Sequence, residues 1–258
     1  MTTPEQALRP CAVVPVFDHA AAVGDVIRGL TDAGLACIVV DDGSGTDCAR
    51  VLDALAVSRP RMTLVRRPCN GGKGAAVSDG LHAALAAGFT HALQVDADGQ
   101  HDLTDIPRFL AEAAAHPDAV ICGRPDFDAS IPRVRFYLRY LTHVLVWLNT
   151  LSFDIEDSMC GYRIYPLARM VELLDTEAVG SRMDFDIEVL VRLHWRGARL
   201  RWIRTRVRYP ADGISHFRLF LDNALITRLH ARLFLGMLLR LPSIVARRLA
   251  APGRASHA

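Results

Sequence analysis

Ala92-Leu93-Gln94-Val95-Asp96-Ala97-Asp98-Gly99-Gln100-His101 is the stretch that decides the fold. A short, mostly apolar run ends in two carboxylates one residue apart, followed at once by a glycine. Such runs bounded by turn residues read as buried strands. In open α/β sheets, side chains at the carboxyl ends of strands project into the crevice where ligands bind. Hard oxygen donors at that place suit Mg²⁺ or Mn²⁺, ions that keep waters and share their coordination with substrate phosphates. A lone Asp-x-Asp is usually a solvated turn, so its weight rests on its surroundings.

Outward from this stretch the chain alternates strand and helix. Ala12–Val16 reads as a strand and Ala20–Ala33 as a helix ended by Gly34. Ala36–Val40 is the next strand, running into Asp41-Asp42-Gly43-Ser44. Cys48–Val57 fits a helix stopped before Pro60, Met62–Val65 a strand, and Gly74–Ala87 a helix closed by Gly88. Beyond His101, Leu103–Ala115 fits a helix and Ala119–Cys122 a strand. This alternation predicts an α/β fold, a mostly parallel central sheet with helices on both faces. The loops after successive strands then share one edge, so Phe17-Asp18, Asp41-Asp42, Asn70–Lys73, Asp96–Asp98 and Gly123-Arg124 converge.

Each loop carries its own chemistry. The Asp42 carboxylate suits either a base N–H or its own turn backbone. Asn70-Gly71-Gly72-Lys73-Gly74 opens a helix, offering backbone N–H groups and a cation to an anion. It lacks the spacing of a P-loop. Lys73 is the only lysine beside 29 arginines. A compact ammonium kept where arginine is otherwise the rule points to a task for Lys73 that a guanidinium does not perform.

The charge distribution is lopsided. Residues 1–191 hold 26 acids against 16 basic residues, a net of −10, whereas residues 192–258 hold 14 arginines against Asp212 and Asp222, a net of +12. A basic carboxyl-terminal quarter predicts an anionic partner. Six cysteines without a Cys-x-x-Cys pair read as reduced core residues of a cytosolic protein. The first residues show no secretory pattern. The runs free of charged residues near 81–95 and 140–153 fall short of the ~18 apolar residues of a spanning helix. No segment is therefore expected to cross a membrane.

In this order and spacing, the motifs resemble those of a family 2 glycosyltransferase, particularly the branch of dolichyl- or polyprenyl-phosphate sugar synthases. The resemblance spans roughly residues 11–217. It rests on Asp-Asp-Gly-Ser (41–44), Asn-x-Gly-Lys-Gly (70–74), Asp-Ala-Asp-Gly-Gln-His (96–101), Cys122-Gly123-Arg124, Asp157–Arg163 and Phe185-Asp186-Ile187-Glu188. It implies a GT-A nucleotide-binding fold, a metal-bound UDP- or GDP-sugar and inversion at the anomeric carbon. On matching positions, Pro15, Phe17 and Asp42 would line the base and ribose, with Lys73, Ala97 and Gln100 in the same donor pocket. Asp96 would face ribose and sugar, and Asp98, with Asp96 beside it, would hold Mg²⁺ or Mn²⁺ on the diphosphate. Arg124 and Arg163 would clamp phosphate, unless each is a structural ion pair. Asp157 is the candidate general base for a hydroxyl acceptor. A lipid-phosphate acceptor is already anionic and needs none. Asp186 and Glu188 would diverge on a helix, and Glu188 ranks below Asp157.

Two departures stand out. Pro15-Val16-Phe17-Asp18-His19 lacks the family's glutamate, and Gly213-Ile214-Ser215-His216-Phe217 puts histidine where a lysine usually meets the diphosphate. Ser215 and His216 remain donor-site candidates. Residues 1–210 are expected to form the catalytic domain, with 131–153 an amphipathic segment facing acceptor or membrane, and 211–258 a basic helical region. In 131–153, Arg135, Arg139 and His143 form a polar stripe at i, i+4, i+8. Arg218, Arg228, Arg232 and Arg240 share about a third of a helical wheel. Both segments suit the headgroup plane of a membrane. The expected partners are a nucleoside-diphosphate sugar, a lipid or lipid-phosphate acceptor, the inner face of the cytoplasmic membrane by peripheral contact, and a second copy of the chain. A nucleotidyltransferase or a nucleic-acid binder is the rival class. The chain lacks the former's glycine-rich signature after its first strand, and nothing in it resembles a base-reading module.

Overall fold

The computed structural model describes residues 7–126, 133–207 and 219–250. Seven strands form one sheet: β1 (Pro10–Val16), β2 (Ala36–Asp41), β3 (Met62–Arg66), β4 (His91–Gln94), β5 (Ala119–Asp126), β6 (Arg163–Pro166) and β7 (Arg199–Arg206). Their order is β3-β2-β1-β4-β6-β5-β7. All neighbours are parallel except β6, which runs antiparallel to both β4 and β5. The reversal has a consequence for the site. The carboxyl ends of the other six strands share their edge with the amino end of β6, so residues 157–162 arrive beside Asp96–Asp98.

The helices are α1 (Ala20–Asp32), α2 (Thr46–Ser58), α3 (Lys73–Ala86), α4 (Ile106–Ala115), α5 (Arg133–Thr150), α6 (Leu167–Thr176), α7 (Phe185–Trp195) and α8 (Leu219–Ala250). A 3₁₀ turn, Leu103–Asp105, leads into α4. Successive residues of β1 point to opposite faces, so Cys11 and Val13 join one core while Ala12, Val14 and Val16 join the other. The first core is covered by α3, α5, α6, α7 and α8, the second by α1, α2 and α4. A strand buried on both faces must read as a continuous apolar run, and β1 and β2 do so. Helix α3 lies very close to the sheet, since a Cβ at Gly80 would stand 2.5 Å from Val13 Cγ1.

All six cysteines are free, five of them buried and Cys69 exposed. Helix α5 packs on α7 and α8, and α8 also packs on α7. Within α8, Ala224–Ala246 has a mean hydropathy of 1.4 over 23 residues, enough by length and composition to cross a membrane. Its arginines interrupt the apolar run, which hides the segment in the sequence. In the fold it lies along the domain, with Leu229, Leu233, Met237 and Ile244 in the core and Arg232 paired to Glu188.

Candidate active site

At the end of β2 the two aspartates divide their work. Asp41 Oδ1 accepts from Ser44 N–H at 2.9 Å, closing the turn. Asp42 turns toward the glycine loop: Oδ1 accepts from Gly71 N–H at 2.9 Å and Oδ2 from Gly72 N–H at 2.8 Å. Arg67 Nε stands 2.9 Å from Asp42 Oδ1. Gly43, at φ +74°, allows this approach, because a Cβ there would lie 2.7 Å from Asn70 N. Asp42 is thus the clasp that fixes the loop before α3. Neither the free base-binding carboxylate nor the self-satisfied turn residue describes it. Asp18 does similar work beside it, accepting from Gly45 N–H at 2.7 Å. Pro15 is buried in β1 and Phe17 half-buried just beyond it.

The clasped loop delivers Lys73 into a charge network. Its ammonium is 2.7 Å from Asp96 Oδ1, 2.9 Å from Asp96 Oδ2 and 2.9 Å from Asp186 Oδ2. Gln94 Nε2 donates to Asp186 Oδ1 at 2.9 Å. Gly161 leaves room for this cluster, since a Cβ there would sit 2.7 Å from Lys73 Nζ. Burial alone would lower the Lys73 ammonium, but Asp186 and Asp96 outweigh it and hold Lys73 charged. Burial would likewise raise the Asp96 carboxyl, and Lys73 and His101 more than reverse this. The ammonium expected to reach for an anion is therefore tied to two carboxylates, a bridge a forked guanidinium fits poorly. Of the diverging pair Asp186 and Glu188, it is Asp186, on the first turn of α7, that faces this cluster. Glu188 points away to Gly180, Arg192 and Arg232.

Asp98 is the contrasting carboxylate. It is half-buried, with Oδ1 accepting from Gln100 N–H at 3.0 Å. Burial and then the neighbouring Asp96 charge push its carboxyl above the ordinary range. That is the state of an acid short of a cation. Among the described residues no group of three or more His, Cys, Asp or Glu is placed to hold a metal. A Mg²⁺ or Mn²⁺ ion at this edge would take most of its ligands from diphosphate and water. Asp98 fits such an ion, whereas both oxygens of Asp96 already face Lys73. Ala97 is buried between them, and Gln100 is half-buried. His101 stacks on Tyr162 at 4.9 Å, with Nε2 3.6 Å from Asp96 Oδ2 and a buried Nδ1 that has no hydrogen-bond partner.

Asp157, before β6, is saturated. Oδ1 accepts from Met159 N–H at 2.9 Å and Cys160 N–H at 2.8 Å. Oδ2 accepts from Arg139 Nε at 2.8 Å and from the same guanidinium's Nη2, with His143 Nε2 at 3.5 Å. Burial would raise its carboxyl, but Arg139 and His143 hold it well below the usual range. Arg139 and His143 of the α5 stripe thus face inward, where an orientation toward headgroups was expected. A buried carboxylate attracts them more strongly than water does. Arg163 also departs from expectation. It is 0% exposed, donating to Asp186 O at 2.7 Å and Ser158 O at 2.8 Å, so it is a structural arginine out of reach of a phosphate. Arg124 is exposed and pairs with Glu156 at 2.6 Å. Ser215 and His216 lie outside the described residues.

Comparison with known proteins places the family and the fold. An undecaprenyl-phosphate mannosyltransferase of Micrococcus luteus is 25% identical over 203 residues, covering 75% of this chain and 81% of its own. A polyprenol monophosphomannose synthase of Mycolicibacterium smegmatis is 30% identical over 149 residues, 56% of either chain. Among solved structures, glucosyl-3-phosphoglycerate synthase of Mycobacterium tuberculosis, in complex with Mn²⁺, UDP-glucose and phosphoglyceric acid, superposes with a TM-score of 0.67. It shares 16% identity over 90% of this chain and 80% of its own, a likeness of fold alone. The sequence pattern described as glycosyl transferase family 2 matches residues 11–180, which run from β1 through the whole Lys73–Asp96–Asp157 edge. With that span matched and the sheet that carries it built as a GT-A fold, the chain belongs to glycosyl transferase family 2, and its relatives include polyprenyl-phosphate sugar synthases.

Proposed function

We propose that this transferase moves a sugar from a UDP- or GDP-sugar to a lipid-linked phosphate at the cytoplasmic face of a membrane, with inversion at the anomeric carbon. The observation that carries the choice of acceptor is the state of Asp157. A general base must take a proton, and a carboxylate saturated by two N–H groups, Arg139 and His143 is a poor acceptor for one. A phosphate oxygen arrives already ionised and asks for no base. Relatives named for undecaprenyl phosphate and polyprenol support the same class.

On the donor side, Asp98 is the carboxylate for Mg²⁺ or Mn²⁺, and Lys73 holds Asp96 ionised and aimed at the donor. Such an ion, when bound, would neutralise charge on the departing nucleoside diphosphate. Pro15 and Phe17 form the wall for base and ribose, Asp42 shapes the loop next to them, and Ala97 and Gln100 keep the carboxylate turn compact. Arg124, freed from Glu156, and Ser215 with His216 complete the phosphate contacts. Residues 1–210 form the catalytic domain and 211–258 an appended basic helical region. The membrane contact rests on what faces outward: Tyr140, Leu141, Val144 and Leu148 of α5 and Leu235, Leu238 and Leu239 of α8 are exposed. Apolar surface of this extent on two neighbouring helices marks an interaction site.

Thermal stabilisation by a panel of UDP- and GDP-sugars, each with Mn²⁺ or with chelator, tests the donor assignment. A true donor at about 100 times its dissociation constant adds roughly 2.7 kcal/mol. A metal-dependent shift for one sugar is expected. No shift for any donor, with or without metal, overturns the reading.

A further inference from the structure

At the end of α7 remote from Asp186, α8 closes over a cleft of about 470 Å³. Arg192, Arg228, Arg232 and Arg240 line it, and no acid does. Glu188 and Glu177 lie behind this wall. Arg232 and Arg192 pair with Glu188, Arg192 also pairs with Glu177, and Arg240 stands 3.8 Å from Glu177. Two carboxylates among these four guanidinium groups leave a surplus of positive charge on the residues around the cleft, whose own wall is mostly apolar. Arg240 also lies 4.9 Å over the Trp195 ring. Arg228 is exposed and has no ion pair among the described residues.

The remainder of the wall is apolar, and its rim is open to the outside. Leu235 is 62% exposed and Leu239 84% exposed. Along α8, Arg228, Arg232, Leu235 and Leu239 follow one another at i, i+4, i+7 and i+11, so cations and leucines share one face. Gly236 lets that face close on α7, since a Cβ there would meet Trp195 Cη2 at 3.0 Å. A free phosphate has no use for exposed leucines beside the arginines that bind it. A phosphate carrying acyl chains uses both.

We propose that this cleft binds the phosphate headgroup of an anionic phospholipid, with Arg228 and Arg240 on the phosphate and Leu235 and Leu239 against the first acyl carbons. The site is separate from the transfer chemistry and fixes how the domain sits on the leaflet. It rests on the membrane contact proposed above. Arg192 and Arg232 are left unchanged in the test because they neutralise Glu188, which is fully buried.

The test is co-sedimentation of the full chain with vesicles of phosphatidylcholine alone or mixed with phosphatidylglycerol. The comparison is the double variant Arg228→Ala/Arg240→Ala, with Arg28→Ala/Arg50→Ala as a charge-matched control at exposed sites elsewhere. Wild type is expected to prefer the anionic vesicles. The cleft variant should lose about 30-fold in affinity for them, from about 1 kcal/mol per arginine near the surface at 1.4 kcal/mol per decade. The control should lose far less, and turnover on a water-soluble acceptor should not change. Equal losses in both variants overturn the cleft in favour of diffuse attraction. Inorganic phosphate that competes as well as the vesicles overturns the lipid source. Binding to neither vesicle overturns the membrane contact itself, whereas equal binding to both, unmoved by the variant, removes only the headgroup site.

Discussion

Asp98 and Asp157 stand at the same edge of one sheet, and the protein treats them in opposite ways. Asp98, after β4, receives one backbone N–H and has the Asp96 charge beside it, so its carboxyl is pushed up. Asp157, before β6, receives two backbone N–H groups, a guanidinium and an imidazole, so its carboxyl is held down. One carboxylate lacks a cation and the other has been given its own. On the proposed function, the difference separates a place prepared for something brought in with the substrate from a place finished in the protein alone. Asp96 lies between these extremes, next in sequence to the deficient acid but already served by Lys73.

The comparison breaks most sharply at Asp98. Asp98→Asn is expected to lower turnover by roughly 10³-fold and to remove the Mn²⁺-dependent part of donor stabilisation, with an unchanged far-UV spectrum. An active variant whose donor binding still responds to metal would place the ion elsewhere. Next in size is the loss of the cation that Asp96 enjoys. Lys73→Met leaves Asp96 and Asp186 facing each other without compensation and should cost about 3 kcal/mol in denaturant unfolding. Adding Asp186→Asn should recover part of that loss, and a strictly additive double variant would deny the coupling.

A smaller effect is expected at Asp157. For a phosphate acceptor, Asp157→Asn should slow transfer by no more than about tenfold, because no proton has to be taken. The pH–rate profile should keep its acid limb. Abolished transfer, rescued by raising pH, would restore Asp157 as the base and point to a hydroxyl acceptor. A separate, pH-dependent effect on stability lies farther along α5, where Asn149 Nδ2 meets His230 Nδ1 at 3.1 Å. Burial lowers the His230 ring to about 4. Below its ordinary value near 6.5 the unfolded chain binds a proton that the native chain refuses. This contribution to stability is therefore complete above pH ~6.5 and is lost as pH falls toward 4, at up to about 1.4 kcal/mol per unit. His230→Gln should flatten that stretch of the stability profile, and an unchanged slope would deny His230 the role.

Much of this was legible in the sequence, for reasons that can be assigned. β1, β2 and β4 announce themselves as apolar runs because both faces of the sheet are covered there, and the loops after the first five strands carry the motifs. β6 and β7 were hidden. β6 has four residues and begins with Arg163, whose burial depends on Ser158 and Asp186 O, partners no local pattern predicts. β7 reads Arg-Leu-Arg-Trp-Ile-Arg-Thr-Arg, and its period of two was masked when all late arginines were counted toward an anionic partner. Arg201 instead serves Glu112 on α4. Amphipathicity on α5 correctly grouped Arg139 with His143, but grouping does not say which side faces in. That was decided by Asp157, 18 residues beyond Arg139. The motif named Asp186 beside Glu188 without choosing between them, and the choice, like the part played by Gln94, arises only where α7 meets β4.

The cysteines carry a practical consequence. Burial pushes Cys11, Cys37, Cys122 and Cys160 up to about 12, so none of these four offers a thiolate near neutral pH, and Cys48 is buried away from reagents. Cys69 alone is open to solvent, one residue before the loop that Asp42 clasps. The wild-type chain therefore carries a single natural attachment point for a fluorophore or spin label, already positioned to report on that loop when a donor arrives.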